Sequence, residues 1–163
     1  MTKFLLAVHV LAAIVAIGPV TVAASMFPAA ARRALAESGT DRDLAVLGSL
    51  HRICRVYAAV GIVVPVFGLA TASSLGVLGD AWLIASIALT AAAAGVLVLL
   101  VLPRQARLLA PAPDPGRRDP TPASSGPAEP GPSRLAMYTG MFNLLWAVVT
   151  VLMIVRPGST TGV

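Results

Sequence analysis

Four stretches of the chain run for the length of a membrane crossing without a single Asp, Glu, Lys or Arg: Phe4 to Phe27, Val56 to Leu78, Ala81 to Leu102 and Leu135 to Val155. About 17–25 apolar residues, rising 1.5 Å each in a helix, cover a hydrocarbon core of roughly 30 Å, and there the helix satisfies every one of its own backbone groups. The strands of a membrane barrel are shorter and alternate in polarity, so uninterrupted runs exclude that solution. Composition agrees: 57% of the residues are hydrophobic and 12% charged, against about 25% charged in a soluble domain. The sequence predicts an all-α, four-transmembrane-helix bundle forming a single membrane domain over residues 1–163.

The net charge of +5 superficially invites a nucleic-acid reading. Its distribution points elsewhere, because the arginines gather beside apolar runs rather than among base-stacking aromatics. The connection Pro28 to Arg55 holds Arg32, Arg33, Arg42, Arg52 and Arg55, and the third connection holds Arg104, Arg107, Arg117, Arg118 and Arg134, while the other side holds Lys3 and Arg156. The positive-inside rule then predicts cytoplasmic arginine-rich loops and both termini extracytoplasmic. Lys3, the first apolar run and the small residues Val22-Ala23-Ala24-Ser25 imitate a signal peptide, but cleavage there would export all ten of those arginines. Phe27, Tyr57 and Tyr138 are expected at the headgroup level of the cytoplasmic side, and Trp82 at the opposite one.

Ser38-Gly39-Thr40 is a turn signal, and Thr40 with Asp43 resembles a capping box, so the second helix is expected to begin before lipid, with Leu44, Leu47, His51, Cys54 and Ala58 on one face. Asp80 is expected to cap the third helix after the short Gly79 turn. Residues 110–133 contain 8 of the 13 prolines and read as a disordered cytoplasmic linker.

Few residues carry chemistry. His9 lies inside the first run, where an ionisable group is expected to face the bundle interior. Its plain reading is a neutral histidine hydrogen-bonded to a neighbouring helix; its sharper one is a cofactor-binding ligand for haem b or copper. His51 falls at the opposite membrane face, too far for one haem to be shared with His9 within a chain, and His51 with Cys54 supplies only two of the four ligands of a structural zinc site. Met153 shares the depth of His9 and reads as a gap filler. Asn143, Trp146 and Tyr138 form a candidate polar pocket or helix-packing set in the fourth run. Gly61, Gly68 and Ala72 let helices approach closely, and Pro19 and Pro65 are candidate kinks. With no intramembrane carboxylate and no hydrolase, zincin or nucleotide-binding motif, catalysis is unmotivated.

The stretch FLLAVHVLAAIVAIGPVTVAASMFPAAARRAL, together with LHRICRVYAAVG, GDAWLIASIALT and LLWAVVTVLMIVRPGSTTG, resembles the domain-of-unknown-function 2269 family of predicted integral membrane proteins. That resemblance implies a bacterial plasma (inner) membrane protein. The first helix alone has a distant similarity to the copper-resistance D-type and HemJ-type haem-binding membrane proteins. Only His9 would carry over, and the chain has Ala16-Ile17-Gly18 where those families place an aromatic before the glycine. The leading expectation is a small structural or accessory subunit whose partners are the lipid bilayer and a second copy or another membrane protein. A haem- or copper-binding redox protein and a permeation path for a small neutral solute are the alternatives.

Overall fold

The computed structural model describes residues 1–110 and 132–158. The expected linker at 110–133 therefore falls almost entirely outside the described residues. Those described form helices α1 (Thr2–Ala34), α2 (Asp41–Val60), α3 (Val63–Leu75) and α4 (Ala81–Gly95), a π-helical segment at Val96–Val101, α5 (Leu102–Leu109) and α6 (Pro132–Val155). With α2 running into α3, and α4 through the π segment into α5, four helices are long and apolar enough to cross a membrane. There is no strand among the described residues.

The helices outrun the apolar stretches at the arginine-rich end. α1 continues past Phe27 and through Pro28 to Ala34, and the third crossing continues past Leu102 to Leu109. Thr40 and Asp43 form the expected capping box: the Asp43 amide donates to the Thr40 hydroxyl at 3.3 Å, and the Asp43 carboxylate accepts from the Thr40 amide at 3.0 Å. These bonds satisfy orphan donors of the first turn. This extension precedes the apolar stretch, and hydrogen bonds from Thr40 hold the Asp43 carboxyl below its ordinary value. Asp80 occupies the N-cap of α4 without a side-chain cap bond. Its carboxylate instead accepts the Trp82 indole N–H at 2.9 Å.

Prolines shape two of the crossings differently. α1 remains one helix through Pro19 and Pro28. Pro65 has no N–H to give the Gly61 carbonyl, which accepts instead from Val64 at 3.2 Å, while the Ile62 amide turns back to Ala59. The break between α2 and α3 sits at these residues, one turn ahead of the proline that forces it. Pro103 likewise cannot donate to the preceding turn, and the chain before it widens to π spacing, with the Leu102 amide reaching Leu97. α3 ends at Gly76, whose φ of 71° places it in the left-handed region open to glycine.

α1 packs against α2, α3 and α6, α4 packs on α6, and α2 meets α5. The principal core lies toward the arginine-rich end, where Phe27, Leu47, Val101, Leu135 and Phe142 are fully buried around Ala24 and Ala31. At the opposite end a much smaller cluster joins Ala72, Trp82 and Leu83, with Val77 and Met153 against it. Phe27 is thus a core residue, its ring turned into the bundle. Tyr57 is half-buried against the same core, and Trp82 is almost fully covered.

Candidate functional site

Polar side chains are scarce in this bundle, and three small constellations collect most of those between helices. The first centres on His9. Its Nδ1 lies 2.9 Å from the carbonyl oxygen of Val64, and a carbonyl only accepts, so Nδ1 carries the proton. The ring rests on Gly68, where an added Cβ would come within 2.9 Å of the His9 Cε1. The missing side chain at 68 therefore creates the space that the imidazole fills. Nε2 has no hydrogen-bond partner among the described residues. A neutral imidazole pinned through Nδ1–H with Nε2 unprotonated is the form in which histidine ligates a metal. No group of three or more His, Cys, Asp or Glu side chains assembles among the described residues.

We expect Gly68→Ala to push the ring away and break its bond to Val64, costing about 0.5–1 kcal/mol, the usual worth of a hydrogen bond between membrane helices. The imidazole ¹⁵N spectrum of His9 reads the lost bond directly. In that background His9→Ala is expected to cost nothing further; a full additional loss would show that the bond had survived.

The second constellation lies at the arginine-rich end. Gln105, fully buried on α5, accepts from His51 Nδ1 at 3.1 Å and donates through its amide to the Cys54 sulfur at 3.7 Å. His51 and Cys54 are thus occupied by a shared amide that ties α2 to α5, and His51 is nowhere near His9. On the adjacent residue, the Arg104 guanidinium lies 4.4 Å from the centre of the Tyr138 ring and donates to the Leu100 carbonyl at 3.0 Å. Its Nε is buried without a partner among the described residues.

The third is built on Asn143, whose amide donates to the Ser25 hydroxyl at 3.0 Å across the α1–α6 contact. Ser25, Thr139, Asn143 and Arg32 line a notch of about 240 Å³ between those helices. Trp146 and Tyr138 do not line it. Trp146 meets Phe142 edge to face at 6.5 Å on the main core, and Tyr138 lies under Arg104. The remaining small-residue positions serve the backbone: Gly61 sits at the α2–α3 break, and Ala72 lies in the small cluster beside Trp82.

Gln105 and Ser25 were not singled out as partners by pattern reasoning. A signal existed, since Gln105 and Asn143 are the only carboxamide side chains in the chain. Each bonds a side chain on a neighbouring helix.

No curated protein and no solved structure matches the chain. The family model described as predicted integral membrane protein (DUF2269) matches residues 3–157. That match spans every described helix but the first residue of α1, and it agrees with four helices of crossing length whose large apolar side chains face outward. The chain is an integral membrane protein belonging to the DUF2269 family.

Proposed function

We propose that the protein is a small accessory subunit that docks, through the half of its bundle holding both termini, onto another integral membrane protein or a second copy of itself. The observation that supports this reading is the unequal packing of the two halves. One end has an extended core running from Val20 to Phe142, whereas the other rests on Ala72, Trp82 and Leu83. At that thin end Ile14, Val15, Val66, Leu69, Ile84, Val151 and Ile154 all present exposed side chains. Lipid covers such a face without driving helices together, so van der Waals fit with a partner's helices is what would order it. Crosslinking in native membranes, followed by gentle solubilisation, tests the idea. Discrete adducts from positions 66, 84 and 151 are expected, and a lone monomer at every crosslinker length would refute it.

In the same reading the protein sits in a bacterial inner membrane with both termini extracytoplasmic. The arginine count supports that orientation: five on each of the two long connections and one on the other side. A reporter that fluoresces only in the cytosol should stay dark at either terminus and light up when inserted near position 39. The opposite pattern would invert the topology.

A second reading follows from His9. The lone pair on Nε2, with Nδ1–H fixed on Val64, supports ligation of haem iron or copper completed by a ligand from another subunit. Protein purified from cells supplied with both should show a Soret band or bound copper that His9→Ala removes. Neither signal in the wild type would end this reading.

A further inference from the structure

We infer that the notch between α1 and α6 holds the phosphate and glycerol-ester region of an anionic phospholipid. It lies where the apolar stretch of α1 gives way to Arg32 and Arg33, the level at which phosphates sit in a bilayer. Thr139 lines it at 3% exposure, and its hydroxyl is buried without a hydrogen-bond partner among the described residues. A threonine in a helix ordinarily bonds its hydroxyl to the carbonyl a turn earlier, as Thr71 and Thr150 do here at 2.7 and 2.9 Å. Thr139 does not, and the unpartnered oxygen of Asn143 lies in the same notch.

Two unsatisfied groups side by side in a membrane helix are costly, and a ligand that satisfies both recovers that cost. The Thr139 hydroxyl donates. Turning the Asn143 amide over, with the Ser25 hydroxyl now donating to its oxygen, keeps the interhelical bond and offers an amide N–H as a second donor. The notch then presents two neutral donors below an exposed guanidinium. That set matches a group made only of acceptors, ester carbonyls below and a phosphate above. At about 240 Å³ the space takes this polar part and leaves the acyl chains along the apolar helices. A soluble phosphate ester shares the phosphate chemistry but brings no acyl chains, which is what favours the lipid.

Native mass spectrometry of the full chain in detergent tests this, with equal amounts of phosphatidylglycerol and phosphatidylcholine of matched acyl chains. Phosphatidylglycerol should be retained about tenfold better, the scale of one charge-assisted contact. Thr139→Val and Arg32→Gln should each abolish the preference, and Thr139→Ser should keep it. Arg42→Gln, which alters an exposed arginine outside the notch, should leave it unchanged. Because Arg32 is exposed, its variant tests the site even where Thr139→Val unfolds the bundle. Equal retention of the two lipids, or full preference in Arg32→Gln, overturns the proposal. Displacement of the lipid by millimolar glycerol phosphate also overturns it, assigning the notch to a soluble ester.

Discussion

Phe27→Ala should lower the unfolding free energy in bicelles by about 2–3 kcal/mol, whereas Phe4→Ala should change it by less than about 0.5 kcal/mol. Phe27 is fully buried and Phe4 is 70% exposed, although both lie in the same helix. In water, truncating a core phenylalanine costs about 3–5 kcal/mol, part of it the transfer of apolar atoms and part the cavity left behind. The transfer part largely vanishes here, because an unpacked side chain in a bilayer still faces hydrocarbon. What remains is lost contact with the core formed by α2, the π segment and α6 around Leu47, Leu50, Val101 and Phe142. Denaturation of the two variants by added SDS measures the difference. Equal effects would show that Phe27 faces lipid.

Gln105→Leu is expected to cost about 1–3 kcal/mol despite conserving volume and adding hydrophobicity. The amide oxygen it removes is the hydrogen-bond acceptor of His51, and the amide hydrogen it removes is the donor to Cys54. A group stripped of its partner in a covered site carries the desolvation penalty of that group. His51→Leu should cost a similar amount by stranding the buried Gln105 oxygen. The double variant, with nothing left unpaired between them, should be no worse than the poorer single one, leaving a coupling energy of about 1 kcal/mol or more. Additive losses would show that the two side chains act independently and that the short distance between them carries no energy.

The crossings were legible because charge-free runs of sufficient length admit so few folds, and the start of α2 was legible because Thr40 and Asp43 advertise a cap. The facing of the helices was not. A helix that is apolar on every side gives no period from which to read its inner face, so the place of Phe27 at the end of its run gave a depth but not its burial in the core. The π segment escaped notice for a related reason: Pro103 marks where a helix ordinarily stops, but its neighbours in the bundle carry this one onward. His9 was recognisable as a residue needing a partner. That the partner is the Val64 carbonyl, reached only because residue 68 has no side chain, depends on the bend that Pro65 imposes, which no local spacing reveals.

The wide turn at Val96–Val101 acts as a phase shifter. Each residue of an α-helix advances the azimuth by about 100°, so one residue accommodated in the wider loop of backbone turns everything downstream by about a quarter of a revolution relative to an unbroken helix. Without that offset, the stub beyond Pro103 would aim Gln105 away from His51 and swing Arg104 off the Tyr138 ring. The orientation of the whole arginine-bearing stub is therefore stored in a local irregularity of hydrogen bonding upstream, and shortening that segment by a single residue would rotate both contacts out of register at once.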